Sequence, residues 1–103
     1  MSWCLYVVEC ADGSLYCGIT NDLERRLKQH NDGKGAKYTR ARRPVQLKTH
    51  WSKLTHKEAA RAEYFFKRLN RRQKERSVRD PNWPLSVLKD RRSADDSSPD
   101  SAE

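Results

Sequence analysis

Two short apolar runs, "WCLYVVEC" and "SLYCGIT", stand on either side of "ADG" near the start of the chain. Runs of this length that are rich in β-branched and aromatic residues form strands, and Asp-Gly between two of them is a strong hairpin signal. An antiparallel pair is therefore the element around which the rest of the chain must be arranged.

The segments that follow change period. In "NDLERRLKQHNDG", Asn21 is a fitting N-cap with Glu24 three positions on, Leu23 and Leu27 form an i, i+4 apolar pair, and Gly33 ends the helix. "KGAKYTRARRP" reads as a glycine-containing basic loop. "VQLKTHW" alternates Val45, Leu47, Thr49 and Trp51 against polar partners, the pattern of a half-buried third strand. Thr55-x-x-Glu58 is a capping box that opens a second helix, with Ala59, Ala62, Phe66 and Leu69 at helical spacing. "NRRQKERSV" is a shorter helix after a break near Asn70, and Pro81 and Pro84 hold "DPNWP" as a loop leading into "LSVL". The expected order is β-β-α-β-α-α, a small α+β fold. Strands near 3–9, 14–20 and 45–51 are expected in one antiparallel sheet flanked by helices near 22–31 and 55–69.

Composition narrows the class. A chain of 103 residues supplies one core, and with 35% hydrophobic and 35% charged residues that core is thin, which favours a sheet covered by a few helices over a deep barrel. No apolar run approaches the ~18 residues of a membrane span and no basic-then-apolar leader is present, so a cytoplasmic location is expected. Residues 1–92 are expected to form the domain, and 93–103, rich in Ser and Asp, a disordered acidic tail. Cys4, Cys10 and Cys17 lack CxxC spacing and read as reduced core residues rather than metal ligands. The net charge of +8 is uneven: residues 1–20 hold no Lys or Arg, and 25–92 hold all of them. Such a body attracts polyanions, although charge alone identifies no chemistry.

Tyr6, Tyr16, Arg26 and Glu63 carry chemistry at spaced positions, with His30 one turn beyond Arg26. Leu5-Tyr6-Val7, Tyr16-Cys17-Gly18, Arg26 and His30 in "ERRLKQH", and Glu63 in "AARAEYFF" occur in the order of a known pattern. Over roughly residues 2–80 the sequence resembles the GIY-YIG nuclease superfamily, most closely its small stand-alone bacterial (YhbQ-like) branch. The first motif departs from the family, because Cys4-Leu5-Tyr6 keeps only the tyrosine. The resemblance implies an enzyme that cleaves a phosphodiester in DNA, with RNA a further substrate class, using one Mg²⁺ or Mn²⁺ held by Glu63 alone. It also implies that Arg26 forks onto phosphate oxygens, that Tyr16 is the base or water-orienting group with Tyr6 supporting it, and that His30 belongs to the site. Asn70 is the nearest counterpart of an asparagine that many members carry after the glutamate. Arg25, Lys34, Lys37, Arg40, Arg71 and Arg72 are expected on backbone phosphates, with Tyr38 stacking on a base. A bare domain has little surface for reading base edges, so branched, flapped or damaged DNA is the expected substrate and repair the expected setting. The competing functions are a non-catalytic nucleic-acid binder of the same fold and an accessory whose basic face docks a protein partner.

The site requires both tyrosines on one face of the hairpin. A two-residue Asp12-Gly13 turn pairs Ala11 with Ser14 and puts them on opposite faces. A three-residue loop, Ala11-Asp12-Gly13, pairs Cys10 with Ser14 and puts them together, and glycine in a left-handed position suits it. That loop, or a bulge of the same effect, is expected. On the first helix Arg26 and His30 share a face, leaving Arg25 and Lys28 outward, and Glu63 falls at the edge of its helix's apolar stripe.

Overall fold

The computed structural model describes residues 2–89; the expected acidic tail lies outside them. In chain order the elements are β1 (Trp3–Glu9), β2 (Leu15–Thr20), α1 (Leu23–Asn31), α2 (Lys37–Arg40), β3 (Gln46–Leu54), α3 (His56–Lys67), α4 (Arg71–Val78) and α5 (Trp83–Lys89). The strands form one antiparallel sheet in the order β2-β1-β3, as expected for the α+β class.

The central position of β1 explains its composition. A strand covered on both faces reads as a continuous apolar run, and Leu5, Tyr6, Val7 and Val8 are all buried. Leu5 and Val7 face α3 and α5 in a core with Trp51, Phe66 and Trp83, while Tyr6 and Val8 face α1 in a second, smaller core. The first core is apolar; the second also encloses His30 and Thr39, both fully buried. All three cysteines are free and buried.

The turn between β1 and β2 is the three-residue form. Cys10 N–H donates to Ser14 O at 2.8 Å, Gly13 N–H donates to Cys10 O at 2.9 Å, and Gly13 has φ +85°. The register pairs Tyr6 with Gly18 and Val8 with Tyr16, so the two tyrosines share a face. Asp12 accepts from the amide and hydroxyl of Ser14 and fixes the turn.

Several local expectations need correction. The α1 cap is Asp22 rather than Asn21: the Asp22 carboxylate accepts the Arg25 N–H at 3.2 Å. The basic loop contains the short helix α2. β3 runs on to Leu54, Val45 is buried ahead of it, and Leu47 is 39% exposed. Register shifts along the β1–β3 pairing break the simple alternation on this edge strand. The segment after Pro81 is the helix α5, whose second residue is Pro84, a position where proline costs no hydrogen bond. α5 seats Trp83 against Trp51 and Phe66, both at 5.5 Å between ring centroids. The α3 capping box of Thr55 and Glu58 is as expected, and Asn70 caps α4 in a reciprocal arrangement with Gln73.

Candidate active site

The α1 face of the sheet brings four of the expected residues together. The Tyr6 hydroxyl lies 2.7 Å from His30 Nε2 and accepts from Arg26 Nε at 3.4 Å. Tyr16 meets the His30 ring edge-on at 5.5 Å between centroids. Two glycines make room. A Cβ at Gly18, directly across from Tyr6, would lie 2.5 Å from the Tyr6 hydroxyl oxygen, and one at Gly35 would collide with the His30 ring. Gly18 is therefore the seat of the Tyr6 ring, which explains why "YCG" ends in glycine.

Helix spacing does the rest. Arg26 and His30, one turn apart on α1, point back over the sheet while Arg25 and Lys28 are exposed. On the far side of the imidazole, His30 Nδ1 lies 2.8 Å from Thr39 Oγ1 on α2, and that hydroxyl lies 3.0 Å from Ala36 O. Burial and the adjacent Arg26 guanidinium push the His30 pKa down to about 4. Burial pushes Tyr6 up to about 12, with the hydrogen bond from Arg26 opposing it.

Tyr16, half-buried on the edge strand β2, is framed by groups from distant parts of the chain. The Tyr38 ring stacks on it at 5.8 Å and 21°, and the Arg42 guanidinium carbon lies 3.9 Å from the Tyr38 ring centroid. Arg42 in turn donates to Asp12 in the hairpin turn at 3.1 Å, and its carbonyl accepts from Ala11 N–H. Lys67 of α3 places its ammonium 5.7 Å from the Tyr16 ring centroid and pairs with Glu63 at 3.0 Å. Glu63 therefore connects to the tyrosine face through Lys67, around the β2 edge of the sheet.

Residues 2–76 match the family model described as the GIY-YIG catalytic domain. The chain belongs to the GIY-YIG family. It is 60% identical over 75 residues to a UPF0213 protein of Bacillus licheniformis, covering 71% of this chain and 75% of that one. It is also 60% identical over 70 residues to the UPF0213 protein YazA of Bacillus subtilis, covering 68% and 71% respectively. Among solved structures it resembles the solution NMR structure of a UPF0213 protein from Bacillus halodurans, with 45% identity, TM-score 0.52, and coverage of 85% of this chain and 97% of that one. A protein from E. faecalis, also solved by NMR, gives 46% identity and TM-score 0.55, with coverage of 77% and 84%. GIY-YIG domains form a nuclease superfamily whose members generally depend on a divalent metal ion.

The donor set fits a hard cation that keeps most of its waters. Among the described residues no group of three or more His, Cys, Asp or Glu is placed to cage an ion, so a tightly ligated transition metal is a poor match. A hard cation that keeps most of its waters asks the protein for little more than one carboxylate, which the 24% exposed Glu63 side chain offers, with the Lys67 ammonium competing for it.

The remaining expected residues are dispersed. Lys34, Lys37, Arg40 and Arg72 are exposed. Arg71 is occupied, donating to Gly13 O and to Glu75, both at 2.8 Å. The Asn70 side-chain oxygen accepts the Gln73 N–H at 2.9 Å, a capping role that accounts for the residue structurally. The Tyr38 ring is 39% exposed and also contacts Tyr16 and Arg42. The Glu63–Lys67 pair follows from their i, i+4 spacing in the sequence, whereas sequence reading missed Thr39 and Arg42, which carry no local signal.

Proposed function

We propose that this GIY-YIG protein is a divalent-metal-dependent endonuclease that hydrolyses phosphodiester bonds in DNA and selects substrates by shape, at branches, flaps or lesions. The supporting observation is the convergence of Tyr6, Tyr16, Arg26 and His30 on one sheet face, with Glu63 reaching the same edge strand through Lys67.

Burial divides the work between the tyrosines. Burial pushes Tyr6 up to about 12 and His30 down to about 4, so at neutral pH the proton between them stays on the tyrosine and the imidazole is uncharged. Tyr6 therefore stays a phenol and serves to hold Arg26. Tyr16, with a half-buried ring on the edge strand, is the group that meets the attacking water: as a phenol it orients that water, and once its own proton has left to solvent the phenolate takes the water's proton. Arg26 spends its Nε–H on Tyr6 and one terminal nitrogen on Gln29 at 3.1 Å, which aims the guanidinium toward a non-bridging phosphate oxygen. Glu63 would hold Mg²⁺ or Mn²⁺, which when bound neutralises charge on the scissile phosphate and leaving oxygen. Arg25, Lys34, Lys37, Arg40 and Arg72 supply phosphate contacts that position the nucleic acid without reading its sequence.

A second reading, a non-catalytic nucleic-acid binder, draws on one observation: the Lys67 ammonium already occupies the Glu63 carboxylate. The two separate in one assay. Purified protein is incubated with single-stranded, duplex, flap and junction DNA and with RNA, in Mg²⁺, Mn²⁺ or EDTA. The nuclease reading expects metal-dependent cleavage that Glu63→Gln abolishes while binding survives. No cleavage across the panel, together with salt-sensitive binding, leaves the binder. Cleavage by Glu63→Gln at the parent's rate removes the single-carboxylate mechanism.

A further inference from the structure

We infer that Thr39 is a positioning residue of this site: by accepting the His30 Nδ1–H it fixes the tautomer of the imidazole, and through it the direction of a hydrogen-bond chain that ends on Arg26. The inference rests on the proposed use of Arg26 as the phosphate clamp.

The direction follows from matching donors to acceptors. Tyr6 is 1% exposed, and its hydroxyl has two neighbours, His30 Nε2 at 2.7 Å and Arg26 Nε at 3.4 Å. Arg26 Nε only donates, so the Tyr6 proton goes to His30 Nε2, which must carry a lone pair. The imidazole is neutral, since burial and Arg26 both oppose its protonation, and its one proton therefore sits on Nδ1. That proton faces Thr39 Oγ1 at 2.8 Å, and the Thr39 hydroxyl proton is directed to Ala36 O at 3.0 Å. Every proton then has an acceptor, in the sequence Arg26 to Tyr6 to His30 to Thr39 to the Ala36 carbonyl. The opposite tautomer points an N–H at the Tyr6 hydroxyl and strands the Tyr6 proton in a dry site, a penalty a buried polar group avoids.

The geometry leaves little room for the ring to adjust. His30 and Thr39 are fully buried, and the backbone of Gly35 lies so close to the imidazole that no side chain fits between them. Tyr6 on Nε2 and Thr39 on Nδ1 thus act together in deciding which ring nitrogen bears the proton, and Thr39, turned to the Ala36 carbonyl, is the member that accepts it. Bonds running in one direction polarise one another, so a change at Thr39 is felt at Arg26, three bonds away.

The test uses the free protein, without DNA or metal. Long-range ¹H–¹⁵N NMR of the imidazole and the Arg26 Nε–H resonance are recorded for the parent, Thr39→Ser and Thr39→Val. The parent and Thr39→Ser are expected to show the Nδ1–H tautomer with the same Arg26 signal. Thr39→Val is expected to switch to Nε2–H and to shift the Arg26 Nε–H. In cleavage assays Thr39→Val is expected to lower kcat roughly 10- to 100-fold at near-constant KM, with Thr39→Ser restoring it. A parent in the Nε2–H form overturns the inference, whether or not any variant folds. So does Thr39→Val that keeps Nδ1–H, leaves Arg26 unmoved or cleaves at the parent's rate. If the parent cleaves nothing, the nuclease reading fails while the two NMR readouts still decide the role of Thr39.

Discussion

When the pH falls from about 7 to about 5, His30 takes up a proton in the unfolded chain but not in the folded one. Its ordinary value of 6.5 is depressed to about 4 in the fold, first by burial and then by Arg26. Above the ordinary value both states are neutral and the shift changes nothing. Between 6.5 and 4 the unfolded state binds more protons, so stability falls as pH falls. The loss reaches about 2 kcal/mol by pH ~5 and about 3 kcal/mol by pH ~4. For a domain of this size, about 2 kcal/mol is roughly 8–16 °C in Tm. Asp12, Asp32 and Glu75 do not confuse this window. Each is held below its ordinary 3.8 or 4.5 (by Ser14, Lys28 and Arg71 respectively), so what they contribute is lost only at still lower pH. Thermal unfolding followed by circular dichroism at the two pH values, for the parent and His30→Gln, measures the effect. The parent is expected to lose that Tm and His30→Gln less than half of it. Equal losses in the two proteins, or a parent that loses under ~3 °C, would refute the assignment of His30 as a neutral buried group.

Tyr16→Phe removes only a hydroxyl and keeps the ring stacked on Tyr38, so kcat is expected to fall by roughly 10²–10⁴ with DNA affinity unchanged; an unchanged rate excludes Tyr16 as the base. Gly18→Ala pushes a methyl to 2.5 Å from the Tyr6 hydroxyl and is expected to destabilise the fold by about 1–3 kcal/mol in urea unfolding; a loss below ~0.5 kcal/mol means the Tyr6 ring has somewhere else to go. Neutralising Lys37 or Arg40, both exposed on α2, is expected to weaken binding alike for all DNA sequences and to lower the salt slope by roughly one each. Unchanged slopes return them to ordinary surface.

The fold was legible where short-range rules act alone. Asp12-Gly13 between two apolar runs fixed the hairpin, and a left-handed Gly13 selected the three-residue loop that places Tyr6 and Tyr16 together. Thr55 and Glu58 marked the start of α3 for the same reason, since a capping box is complete within four residues. Errors appeared where two local choices were nearly equal or where distant contacts decided. Asn21 and Asp22 are both good caps, and the chain uses the second. Pro81 and Pro84 read as loop because proline breaks a helix interior, yet Pro84 sits in a first turn, and α5 is held there by Trp83 against Trp51 and Phe66. Leu47 alternates correctly on paper, but bulges on an edge strand turn it outward. The same division runs through the site. Tyr6, Tyr16, Arg26 and His30 follow from register and helix period, whereas Arg42 reaches Asp12 across 30 positions and Thr39 meets His30 through a helix that the basic composition concealed.

Strand order explains why two similar tyrosines are suited to different work. β1 is central, so Tyr6 is enclosed by a strand on each side and by α1 above, and no water reaches its hydroxyl. What remains to it is orientation, and its partners are an arginine and a neutral histidine. β2 is an edge, so Tyr16 is open on the side where the sheet ends and α3 comes round from the opposite face with Lys67 and Glu63. At this edge a group on the α1 face and a carboxylate on the α3 helix can approach without a strand between them. Moving the second tyrosine to β1 would keep the residues and lose the meeting point. Exchanging Lys67 for Gln tests this geometry directly: it frees the carboxylate while leaving the helix intact, and Mn²⁺ titration of the free protein is expected to show tighter binding that disappears when Glu63→Gln is added. Equal Mn²⁺ affinity in the parent and Lys67→Gln would mean that the ion, if it binds, is held elsewhere than at the edge of β2.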